Sequence, residues 1–231
     1  IDIFHYGNED IGKQLDLMIE SEDDIGEILY KNSHKSIQSA EYLLFTKNIQ
    51  QKRVNDMLLL GLEAILWHLK DIKEGYEAYE QAFYKKEKVA TAMILNTLFE
   101  QIYKLKEWRV GHVGGLTKKY KNDPNNERAE YTISKNSTHA ILAILQTHQK
   151  VFNSSFEDFG DHIASSTKNK DITLNIRALL EKSIALVQSI KNDDLTRSKQ
   201  LYNHIRNIQS LYLQCSFALK TNMILLDTDG D

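Results

Sequence analysis

Pro124 is the single proline among 231 residues, where average usage of ~5% would give about eleven. Proline inside a helix removes a hydrogen bond and clashes with the preceding turn, so a chain this poor in proline can run long helices without interruption. Glycine, the other common breaker, is also scarce, with ten residues where roughly sixteen are expected at ~7%. Long helices are the first expectation, and the apolar residues are spaced to match.

Val54, Leu58, Leu62, Ile65, Leu69, Ile72, Tyr76 and Tyr79 recur at intervals of three and four, which lays one apolar stripe along a helix over residues 50–84. Leu95, Leu98, Ile102 and Leu105 repeat the pattern before Gly111, Gly114 and Gly115 interrupt it. The segment 111–133 therefore reads as loop, with Asn122-Asp123-Pro124-Asn125-Asn126 as its turn signal. Helical spacing resumes at Ile141, Leu145, His148 and Phe152, with Ser134 and Ser137 as candidate caps. It returns from Ile172 to Val187 and, past the Asn192-Asp193-Asp194 break, from Leu201 to Leu219. Two shorter helices are predicted near 11–19 and 25–45, and strand alternation is nearly absent. The fold class is all-α. One domain spans 1–231, with short helices over 1–47 and a bundle of four long helices over 48–231.

A formal charge of -3 and a pI near 6.3 argue against a nucleic-acid partner, since phosphate-binding surfaces carry a basic excess. Cys215 is the only cysteine, which excludes an intrachain disulfide and a cysteine-rich zinc site. It lies on an apolar stripe and reads as core. The chain opens on Ile1 without a signal-like segment, so the expectation is a removed leader or a start within a longer protein.

His34, Gln38 and Glu41 sit at i, i+4 and i+7, which on a continuous helix puts all three on one face. Imidazole and carboxylate suit zinc or iron, while a glutamine amide is a poor third ligand, so a polar surface stripe is the competing reading. There is no His-Glu-x-x-His pair of the helix-borne zinc proteases. His139 and His148, nine residues apart, and His112 in the glycine segment are further candidate ligands. The tail Asp227-Thr228-Asp229-Gly230-Asp231 resembles the opening of a calcium loop but lacks its later ligand positions, and a solvated acidic terminus is the simpler reading. No serine triad, phosphate loop or dinucleotide fingerprint is present.

Several segments, taken in order, resemble the imelysin family. Ser39-Ala40-Glu41-Tyr42-Leu43-Leu44-Phe45 is similar to the family's Gly-x-His-x-x-Glu segment with its trailing Tyr-Leu-Leu-Phe, and 53–76 to the long helix after that. Residues 107–115, Glu-Trp-Arg-Val-Gly-His-Val-Gly-Gly, are similar to a segment ending in Lys-x-Gly-x-Pro-Leu-Gly. Glu130-Tyr131-Thr132-Ile133-Ser134 resembles a Glu-Ser-x-x-Ser stretch, and Asp229-Gly230-Asp231 a common family ending. The departures fall in the motifs: Ser36 stands for the motif Gly, Gln38 for its His, Val113 for the Pro, and Tyr131 for the first Ser, while Glu41 is retained.

The resemblance implies a helical bundle with the N-terminal helices of the family's first bundle missing from this chain. It implies a periplasmic or cell-surface protein of a bacterium, held in the full precursor by a lipid anchor, associated with iron uptake and binding a metal ion, iron or zinc, or a peptide or protein ligand. Glu41, Gln38, Ser134 and His112 become the cleft residues, with Glu41, His34 and Gln38 as the candidate metal ligands. Loss of the motif His weighs against the metallopeptidase activity described for family members, because zinc hydrolysis needs about three protein ligands and a water. The metallopeptidase and a receptor's ligand-sensing bundle are the alternatives.

Overall fold

The computed structural model describes residues 10–153 and 158–221. Among them, nine α-helices and no strand are found, so the chain is all-α. The acidic tail that resembles a calcium loop lies outside the described residues. Cα proximity divides the chain into two compact units, Ile1–Gln81 and Ala82–Asp231.

The first unit contains α1 (Ile11–Glu20), α2 (Ile25–Ile28), a 3-10 turn (Asn32–Lys35), α3 (Ile37–Thr46) and most of α4 (Lys52–Tyr84). Asp10 caps α1 by accepting from the Lys13 amide at 3.1 Å. Asp24 caps α2 through the Gly26 and Glu27 amides. The single helix expected over 25–45 is broken into three pieces. The physical reason is local: Lys31 and Ser36 are extended, and the Ser36 hydroxyl accepts from the Ser39 amide at 3.1 Å, so α3 starts afresh at Ile37. Leu15, Leu29, Leu43, Val54 and Met57 form a small core. Arg53 fastens the start of α4 by donating to the Met18 and Asp23 carbonyls, both at 2.8 Å.

Helix α4 forms as its periodicity predicts, but only Val54, Met57 and Gly61 along it are buried. Leu62, Leu69, Ile72, Tyr76 and Tyr79 of the expected core stripe are exposed. Spacing specifies that a helix has an apolar face; it does not specify what covers that face.

The second unit holds α5 (Glu87–Lys104), α6 (Ser137–Phe152), α7 (Phe159–Thr167), α8 (Lys170–Ser189) and α9 (Lys199–Leu219). Helix α9 packs on α5 and α8, and α8 also on α6 and α7. The apolar stripes read from sequence meet here, with Leu95, Ile141, Leu145, Ile176, Leu180 and Ile205 all below 2% exposure. Cys215 is fully buried among them, and burial pushes its thiol up to about 12.

Helix α7 was not legible as a stripe. Its signal is a capping box: Asp158 accepts from the Asp161 amide at 2.9 Å, and Asp161 accepts in return from the Asp158 amide. Arg177 of α8 donates to both carboxylates and to the Phe152 carbonyl, tying α6, α7 and α8 at one point.

Neither Ser134 nor Ser137 caps α6. The amides of Ser137 and Thr138 are instead taken by the two carboxylate oxygens of Asp193, at 3.0 and 2.6 Å, from the turn between α8 and α9. Asn192 and Asp193 there adopt left-handed φ of 58° and 55°, which asparagine and aspartate tolerate better than most residues. Asn126 holds that turn by donating to the Asp193 carbonyl and accepting from the Leu195 amide.

Candidate functional site

The segment matched to the metal motif lies in the first unit. His34 belongs to the 3-10 turn and Gln38 and Glu41 to α3, with the extended Ser36 between them. The three therefore do not share one helix face, which corrects the spacing argument; a break in the helix resets the register. His34 is buried, and its Nε2 lies 2.7 Å from the Gln14 Oε1 of α1. Tyr30 meets the His34 ring edge-on at 5.8 Å. Glu41 is buried and Gln38 half-buried, three residues apart on adjacent turns of α3.

Serine shapes this corner. The Ser39 hydroxyl donates to the Ser33 carbonyl at 2.5 Å and lies 3.1 Å from the Ser36 hydroxyl. Ser36, at the motif's glycine position, is thus the residue that starts α3. The triplet Ser33, Ser36 and Ser39, at intervals of three, was the sequence signal for that cap. Gln14 carried no comparable signal, because its role arises only when α1 packs on the 3-10 turn.

Among the described residues there is no group of three or more His, Cys, Asp and Glu side chains able to hold a metal ion, where a zinc site draws on about three such ligands. His34 Nε2 is also engaged with Gln14.

The glycine segment and its partners lie in the second unit. Helix α5 runs directly into a π-helix, Leu105–Gly111, so helical structure extends to the first glycine of the expected loop. A π-turn widens the helix and is frequent at functional sites. It carries Lys106, Glu107 and Arg109. Arg109 makes a two-pronged contact with Glu130, Nε and Nη2 donating to the two carboxylate oxygens at 2.5 and 3.0 Å, and both side chains are under one-fifth exposed. Such a planar match is the strong form of an ion pair. It joins the two segments that the sequence presents as separate motifs.

Beside it, Lys106 Nζ donates to Gln209 Oε1 at 2.8 Å and lies 2.9 Å from Glu107 Oε1. The Tyr202 hydroxyl donates to Glu107 at 3.3 Å. Burial, and then the Glu107 charge, push the Tyr202 phenol up to about 12. These charges are compensated within the protein, so the arrangement is a connected polar network.

His112 is half-buried just past the π-helix, with Tyr120 edge-on at 5.0 Å. Burial, and then the Lys119 charge, hold its pKa below the ordinary value, favouring the neutral ring. Ser134 is half-buried in the turn before α6, where its carbonyl accepts from the Asn136 side chain. His139 and His148 are not brought together. His139 is exposed and His148 fully buried, because nine residues at 100° each place them on opposite sides of α6.

Neither the curated proteins nor the solved structures give a match. A family model described as imelysin, and labelled a peptidase family, matches residues 5–217. That span takes in the Ser36 to Glu41 corner, the π-helix with its glycines, the Arg109–Glu130 pair and nearly all of the bundle, and the chain belongs to the imelysin family.

Proposed function

We propose that this chain is an extracytoplasmic binding protein of the imelysin type, serving iron uptake by holding a peptide or protein ligand rather than by hydrolysing one. The observation that carries this reading is the corner around α3, where Gln38 stands in place of the motif histidine and His34 is engaged with Gln14. A glutamine amide both donates and accepts a hydrogen bond and so matches a peptide group, whereas it is a poor ligand for zinc. Glu41 supplies the adjacent carboxylate. Family membership supports the link to iron uptake and the location outside the cytoplasm. Among the described residues, no helix is long and apolar enough to cross a membrane.

The test is titration of chelator-stripped protein with ferrous, ferric and zinc ions, for the parent and Glu41→Ala, alongside incubation with reduced, unfolded casein. No stoichiometric uptake of any of the three ions and no chelator-sensitive hydrolysis are expected from either protein. A pool of casein-derived peptides should be retained by the parent and bound about 10-fold more weakly by Gln38→Ala, the order of effect for losing hydrogen bonds to a desolvated group. Stoichiometric metal binding that disappears in Glu41→Ala, or casein cleavage abolished by chelator, would show that the altered motif works as a metal centre and end this reading.

A further inference from the structure

The exposed face of α4 is the largest feature that the site does not use. From Leu58 to Phe83 its apolar residues follow intervals of four and three in strict alternation: Leu58, Leu62, Ile65, Leu69, Ile72, Tyr76, Tyr79, Phe83. That is a seven-residue repeat, the period at which one helix keeps a continuous seam toward another wound around it. The seam is open. Leu62 is 46% exposed, Leu69 59%, Ile72 48% and Tyr76 73%, and every residue from 71 to 80 is exposed.

We infer that this face binds a second copy of this chain, α4 against α4, to form a homodimer. The area supports it. Counting about 200 Å² for a fully exposed large apolar side chain, the seam from Leu62 to Tyr79 with the flanking Leu59 and Leu66 presents roughly 700 Å². This exceeds the apolar patch usual on a monomer and is near the ~800 Å² that each partner contributes to a stable interface. The flanking charges are of both signs, with Lys70 and Lys73 beside Asp71, Glu74, Glu77 and Glu80. A surface carrying both signs can be laid on its own copy in a two-fold arrangement without a net repulsion. An apolar seam of seven-residue period is likewise its own complement, the simplest partner for it being an identical helix.

Sedimentation of the full chain at about 10 µM, a concentration ample for an interface of standard size, tests this directly. The parent should sediment at twice the 26.7 kDa chain mass. The double variant L69E/I72E should sediment at the chain mass with unchanged helical circular dichroism, its dimer dissociation constant raised at least about 100-fold, as expected for charges placed in the centre of an apolar interface. Leu174→Glu, at an exposed apolar position on α8, should leave the dimer intact. If L69E/I72E loses helicity, Tyr76→Lys takes its place. A parent that stays monomeric at 100 µM overturns the proposal and marks the face for a different partner. So does a dimer that survives both α4 variants, or one that Leu174→Glu dissolves.

Discussion

Replacing Gly115 by alanine should cost the protein roughly 3 to 5 kcal/mol, the range of severe single substitutions. Two independent effects add at this position. Its φ of +64° lies in the left-handed region, where a Cβ is penalised by about 1 kcal/mol or more. A Cβ built there would also stand 2.7 to 2.8 Å from backbone atoms of Asp123 and Pro124, which cannot swing aside as a side chain could. The chain folds back at this point, the Asn122 amide donating to the Gly115 carbonyl and the Asn125 amide to the Val113 carbonyl, both at 2.9 Å. Displacing it strains the whole connection from the π-helix to α6. Gly75 is the control: nothing lies within 4 Å of its Cβ position, so Gly75→Ala in the open length of α4 should stabilise by about 0.5 to 1 kcal/mol. Urea unfolding of the two variants beside the parent measures both. Equal midpoints for Gly115→Ala and the parent would refute the packing argument.

Lowering the pH from 6.5 to 4 should remove about 3 kcal/mol of stability, the linkage value for His148. His148 is fully buried on α6, with Nδ1 2.9 Å from the Tyr212 hydroxyl and no hydrogen-bond partner for Nε2 among the described residues. Tyr212 in turn stacks on Phe152 at 5.5 Å, so the surroundings are aromatic and apolar. Burial pushes the His148 pKa down from 6.5 to about 4. The unfolded chain therefore takes up a proton near pH 6.5 that the folded chain refuses until about pH 4. Stability is complete above pH 6.5 and falls as acid is added through that window. His112 and His204, also held low by burial, add to the slope in the same sense. His148→Phe should be less stable than the parent at pH 7, because the Tyr212 hydroxyl loses its partner, and should show a markedly flatter decline toward pH 4. Parallel pH profiles for the two proteins would mean that His148 does not govern acid sensitivity.

The second unit was the more legible part of the chain because its helices have several neighbours each, so nearly every periodic apolar residue finds a partner. The stripes on α8 and α9 read directly into the core. On α4 the same kind of stripe identified the helix and failed on burial, since a neighbour is needed to cover a face. Short-range polar chemistry was legible only in part. Ser36 could have been recognised as a cap from its spacing to Ser39, and the capping box of α7 from Asp158 and Asp161; both are local patterns. The contacts of His34 with Gln14, Arg109 with Glu130, and Asp193 with the start of α6 join residues 20 to 56 positions apart. Such pairs are products of packing, and no window of sequence contains them. The family resemblance was legible because it rests on segments in order, and its motif departures at Ser36 and Gln38 were visible without coordinates.

The cap supplied by Asp193 also sets an order of events during synthesis. At ~5 to 20 residues per second, the ribosome finishes making α6 several seconds before it reaches Asp193. Until then the first turn of α6 has two amides that only water can satisfy, and it frays. The helix is completed from the far end of the unit, when the turn between α8 and α9 arrives, so α6 cannot act as a finished template for α7 and α8. In a chain ended at Leu186, exchange at the Ser137 and Thr138 amides should run at the rate of an open helix end, while the full chain protects both.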